Sequence, residues 1–160
     1  MSKFVFYIKL QPFVAQWLVH SFGSPVVFPP QSVENSTIRR FIRKRPLDVL
    51  PDTAAPGLTA ICIPDSTQTP PEIYNYLGLM GKKAVEECIE DNFRLSMWSE
   101  LNDLHDIGCS VMTAIYAWCD KHGIDYDYAL TVRQRYYRLR DSYLKYGIDF
   151  RHRTRNHNRT

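Results

Sequence analysis

All ten prolines of this chain fall at or before Pro71, and nothing from there to Thr160 interrupts a helix in that way. Proline lacks a backbone donor and disrupts helix interiors, so the front of the chain is confined to short elements joined by turns. The back is open to long helices.

In the front, "KFVFYIKL" is rich in aromatic and β-branched residues and alternates only imperfectly, which predicts a strand covered on most of both faces. "QPFVAQWLVHSFG" predicts a helix: Pro12 suits a first turn, Phe13, Val14, Trp17, Leu18 and Phe22 recur at helical spacing, and Gly23 supplies a stop. "SPVVFPP" predicts a short edge strand hemmed by prolines. "SVENSTIRRFIRKRP" predicts a second helix that starts near Ser32 and ends before Pro46, with Ile38, Phe41 and Ile42 facing inward. The loop-rich "LDVLPDTAAPGLTAICIPDSTQTPP" holds one further strand at "LTAICI", added to the first unit because Leu58, Ile61, Cys62 and Ile63 are costly to leave in water.

In the back, Val85, Cys88, Ile89, Phe93, Met97, Leu101 and Leu104 lie close to one helical stripe that ends near Gly108. Val111, Ile115, Trp118 and Cys119 repeat the pattern up to Gly123, a suitable residue to follow a helix end. A last helix starts around Asp125 to Asp127, where either aspartate can cap the exposed amides, and stops at Gly147. The expected fold class is α+β. A small N-terminal β-α-β-α unit with one further strand occupies residues 1–70, a three-helix subdomain 71–147 and a basic tail 148–160, or else 1–147 shares one core.

With 160 residues, 44% of them hydrophobic, such a chain can bury a core without metals or bridges. "FVFYIKLQPFVAQWLVHSF" is broken by Lys9, Gln11, Pro12, Gln16 and His20, too polar for a membrane span and unlike a signal peptide, so a cytoplasmic address is expected. Cys62, Cys88, Cys109 and Cys119 contain no CxxC pair and are expected to be reduced and mostly buried.

The net charge of +3 hides a segregation. Residues 1–45 carry seven Lys/Arg against one Glu, residues 46–130 four against fourteen Asp/Glu, and residues 131–160 nine against two Asp. Two basic ends flank an acidic middle, a pattern that points to interaction surfaces.

In "LTVRQRYYRLRDSYLKYGIDFRHRTRNHNRT", helical steps put Val132, Tyr136, Leu139, Tyr143 and Tyr146 on one stripe for the chain's own core. Leu130, Tyr137 and Leu144 form a second apolar seam, which packs on another element of the chain or on a symmetry mate in a homodimer. Arg133, Arg135, Arg138 and Arg140 lie between the seams, and Asp141 can neutralise part of Arg138. A merely solvated face is usually built from mixed Lys and Glu, whereas eight of the nine basic residues in 131–160 are Arg, whose planar fork binds phosphate and stacks on bases.

Arg151, Arg153 and Arg155 in the tail, and Lys145, extend the set. The preceding helix, the "GID" turn and this helix are compatible with a helix-turn-helix in which Arg133 and Gln134 read bases and Arg138, Arg140 and Lys145 hold phosphates. Arg39, Arg40, Arg43, Lys44 and Arg45 form a second cluster on the outward side of the front helix, where cations near the C-terminus also suit the helix dipole.

No metal site is expected, because Cys119 and His122 lack a second ligand pair, and no cofactor motif is present. Glu100, Asp103, His105 and Asp106 hold acids and a base but match no catalytic signature, so an enzyme is not expected. "YIKLQPFVAQWLVHSFGSPVVFPPQSVENSTIRRFI" is similar to small proteins carried by bacterial mobile elements and Mu-like prophages, which implies a setting of phage or transposon DNA handling and assigns no residue a role. The function expected is non-enzymatic nucleic-acid binding, with DNA the partner, or regulation. The alternative is an oligomeric interaction module assembled through charge blocks and the Leu130, Tyr137, Leu144 seam.

Overall fold

A computed structural model of the chain describes residues 3–106 and 110–145, with the side chains of 103–106 outside the description. The protein is α+β, and it forms two compact units, Met1–Phe93 and Arg94–Thr160. The first unit thus continues past Pro71 through the front half of a long helix.

The sheet of the first unit pairs β1 (Val5–Lys9) with β2 (Leu58–Cys62) antiparallel, Phe6 opposite Ile61 and Ile8 opposite Thr59. Phe6 and Ile8 are buried while Lys9 is exposed, so the alternation follows the pleat. The outer edge of β1 is occupied by the loop before β2: the Tyr7 amide donates to Asp52 Oδ2 at 3.3 Å, and Lys82 pairs with the same oxygen. An edge strand with its donor taken is less able to recruit another strand.

The expected strand in "SPVVFPP" is reduced to one residue. Val26 bridges Ile61 in parallel, donating to Ala60 O and accepting from Cys62 N, and the prolines at 25, 29 and 30 have no amide hydrogen to extend the ladder.

α1 (Pro12–Phe22) buries Phe13, Val14, Trp17 and Leu18 and ends at Gly23, whose φ of 83° is easily reached only without a side chain. α2 (Val33–Phe41) is capped by Ser32, whose hydroxyl accepts from Asn35 N, and it stops earlier than Pro46 requires. Ile42 turns extended, and Arg43 exchanges two backbone hydrogen bonds of 3.0 Å with Tyr76. A strand-like bridge to a distant segment thereby replaces the last turn, and Phe41 and Ile42 are half-buried.

α3 (Leu79–Asp106) supplies Val85, Ile89 and Phe93 to the first core, where the Phe93 ring meets Phe13 and Trp17 edge-on at 5.6 and 5.4 Å. Its neighbour Asn92 bonds to the buried Glu34 of α2.

In the second unit, Met97, Trp98 and Leu101 of α3 pack with Ala114, Ile115, Trp118 and Cys119 of α4 (Val111–Lys121) and Ala129, Val132 and Tyr136 of α5 (Ala129–Lys145). Trp98 stacks on Tyr136 at 5.4 Å and meets Tyr143 edge-on at 4.9 Å, and the Tyr136 hydroxyl donates to Asn102 Oδ1 at 3.1 Å in the interior. The turn into α5 contains a 3-10 turn, Tyr126–Tyr128, before which Asp125 makes no side-chain cap bond. Tyr128 N donates to Asp125 O at 3.0 Å across that turn. No helix among the described residues is long and apolar enough to cross a membrane.

Candidate nucleic-acid interface

α5 turns Val132 and Tyr136 into the core, with Leu139 and Tyr143 half-buried beside them. That inward stripe is the one the helical spacing predicts, and it leaves Arg133, Gln134, Arg138 and Lys145 exposed, with Arg135 and Arg140 half-buried. The second seam is open to solvent at both ends: Leu130 is 61% exposed and Leu144 58%. Between them Tyr137 serves a different purpose. The Arg133 guanidinium lies 5.5 Å from its ring centroid and that of Arg140 4.6 Å, so the ring holds two cations at the surface.

The expected pairing of Asp141 with Arg138 is not formed. Asp141 Oδ1 lies instead 3.9 Å from Arg140 Nε, a loose contact between an exposed carboxylate and a half-buried guanidinium that neutralises little, and Arg138 makes no ion pair among the described residues. Arg151, Arg153, Arg155 and Tyr146 lie outside the described residues.

The front cluster is broken up by the early end of α2. Only Arg39 and Arg40 stand on the helix, both exposed. Arg43 stacks over Tyr76 at 5.3 Å, Lys44 over Tyr74 at 5.6 Å, and Arg45 donates to the Val49 carbonyl. Arg43 and Lys44 hold the loop to the "YNY" segment while Arg45 closes a bond within the loop, local uses that helix geometry concealed. The signal for the ring contacts was the pair of tyrosines just after Pro71, the kind of ring face a displaced cation seeks.

Glu100 anchors a polar clamp between α3 and α4. Its Oε2 accepts from Lys121 Nζ at 2.9 Å and lies 3.0 Å from His122 Nε2, and Ser96 donates to its Oε1 at 3.4 Å. Burial works to raise the Glu100 pKa, but the bonds from His122 and Lys121 outweigh it and hold the carboxyl below its ordinary value. The carboxylate sits at the centre of this group, where a hydrolytic triad would need the histidine, so the arrangement suits helix packing.

Burial pushes the Cys119 thiol up to about 11, which opposes the thiolate a metal would require. No three His, Cys, Asp or Glu side chains among the described residues are grouped to hold a metal ion. Cys62, Cys88 and Cys119 form no disulfide; Cys62 and Cys119 are buried, Cys88 is half-buried, and Cys109 lies outside the described residues. Comparison with family models, curated proteins and solved structures finds no match to this chain.

Proposed function

We propose that this protein is a non-enzymatic nucleic-acid-binding or regulatory protein of a mobile element, working in the cytoplasm on DNA. The observation that carries the reading is the arginine face of α5, where Tyr137 holds Arg133 and Arg140 at the surface beside the exposed Gln134 and Arg138. A guanidinium already seated on a ring loses less freedom when it meets a phosphate, and its planar fork suits two oxygens at once. α4, the turn at Gly123 and α5 follow one another as the two helices of a helix-turn-helix do. In that arrangement Arg133 and Gln134 face base edges, and Arg138, Arg140 and Lys145 take phosphates. Arg39 and Arg40 add cations from the first unit.

The test is fluorescence anisotropy of labelled duplex and single-stranded oligonucleotides titrated across salt. Binding should weaken linearly on a log–log plot, and a triple Arg133→Gln, Arg138→Gln, Arg140→Gln variant should lower the slope by roughly two to three, at about 0.9 per lost duplex phosphate contact. Equal slopes for the two proteins, or no binding at low salt, would overturn the reading.

The second reading is an oligomeric interaction module, favoured by the exposure of Leu130 and Leu144 on the same helix. It requires the protein's mass in solution to change with salt, whereas phosphate binding leaves the mass of the isolated protein unchanged.

A further inference from the structure

The first unit contains a cleft of about 350 Å³ that shares only Arg39 with the nucleic-acid reading. It opens where β2 leaves the sheet, between Cys62–Asp65, the proline-flanked Val27–Pro30 segment and the face of α2 that carries Asn35 and Arg39. Most of its wall is apolar, and three of its lining side chains are polar.

Asn35 is 4% exposed, and its Nδ2 donates to Phe28 O at 3.1 Å and Pro29 O at 3.0 Å. Two carbonyl acceptors on that side fix which end of the amide is nitrogen. The remaining end, Oδ1, accepts no hydrogen bond from the described residues. Oδ1 keeps some accessible surface, so a donor that enters the cleft can reach it. Arg39, one turn along the same helix, makes no ion pair among the described residues, and Asp65 brings a carboxylate to the opposite strand end.

The geometry points to a binding site for a single free α-amino acid with an apolar side chain. Its carboxylate meets the Arg39 fork, its ammonium donates to Asn35 Oδ1 on the side of Asp65, and its side chain fills the space between Val27, Phe28 and Ile63. The volume lies at the small end of the roughly 300–1,000 Å³ of ordinary ligand sites, too little for a dinucleotide cofactor. The proposal does not depend on nucleic-acid binding, and its test contains no nucleic acid.

The experiment is a titration of the full-length ¹⁵N-labelled protein with leucine and phenylalanine, followed by amide chemical shifts. Both should shift amides within 26–39 and 61–65, with a dissociation constant of about 1 mM or tighter for a ligand of this size. Phenylacetate, which lacks the ammonium, and phenethylamine, which lacks the carboxylate, should each bind at least about tenfold more weakly, since each abandons one charged contact.

Arg39→Gln should weaken leucine about tenfold or more, whereas Lys83→Gln, which removes the same charge from an exposed site elsewhere in the unit, should not. Val27→Trp should abolish binding by filling the cleft, and the amide spectrum of each variant reports whether it remains folded. Absence of shifts at about 10 mM leucine, a binding strength ten times below expectation, would overturn the proposal. So would equal binding of phenethylamine, or an Arg39→Gln variant that binds as the parent does.

Discussion

Glu100 draws charge chemistry together in the second unit, since one carboxylate receives a serine, a lysine and a histidine from α3 and the end of α4. Its folded pKa is depressed, so the clamp adds stability above the ordinary carboxylate pKa of 4.5, and that stability is lost as pH falls through the lower folded value. Glu100→Gln should therefore lower the unfolding free energy by about 1 kcal/mol at neutral pH, as for partly exposed charged hydrogen bonds. The difference from the parent should shrink below pH 4.5, and denaturant melts at pH 7 and pH 3 check both statements.

Tyr136 makes the complementary case in the dry interior. Tyr136→Phe keeps the stack on Trp98 but leaves Asn102 Oδ1 without its donor, and should cost about 1–3 kcal/mol in the same assay. A cost below about 0.5 kcal/mol would mean that Asn102 finds another donor.

Among the elements, the start of α3 shows how a helix is placed by what it must pass. A Cβ added at Gly81 would lie 2.9 Å from both Leu77 Cγ and Phe41 Cβ, so the missing side chain lets α3 approach the end of α2. Helix propensity favours Gly81→Ala by about 1 kcal/mol, while overpacking against Phe41, whose Cβ is tied to backbone, costs about 1–3 kcal/mol. The expected outcome is a net loss of stability of about 1 kcal/mol in a denaturant melt; a stabilised variant would show that the two helices part easily.

The same region explains why the second helix ends at Phe41 although its local pattern runs on to Arg45. Residues 42–45 keep helix-compatible side chains, but the backbone bonds between Arg43 and Tyr76 and the ring contacts of Arg43 and Lys44 repay the broken turn. A periodicity argument sees only neighbours in sequence, and Tyr76 is not one of them.

For the whole molecule, the charge segregation along the chain is the property to test. Cations gathered at the two ends make binding to a polyanion steeply salt-dependent, while the acidic middle allows basic ends to pair with another copy. Sedimentation across about 50–500 mM salt, spanning Debye lengths well above and below 10 Å, should give one constant mass for the isolated protein; a mass that changes with salt would favour the oligomeric reading.

The α+β class, the two strands and five helices among the described residues, and most of their buried stripes were legible in sequence, because Phe6, Trp17, Ile89, Trp118 and Tyr136 each sit at the spacing that their element's geometry dictates. Local periodicity also sufficed to leave Arg133, Gln134 and Arg138 outward on α5. What tertiary structure alone decided is where partners from elsewhere in the chain arrive. Those partners reduce the proline-rich strand to a single bridge at Val26, draw Arg43 and Lys44 onto tyrosine rings, and close a cleft around Asn35 and Arg39. Helical and strand periods are properties of adjacent residues, whereas the ring that holds a cation, or the wall that completes a cleft, is supplied by residues tens of positions away and is set only when the core packs.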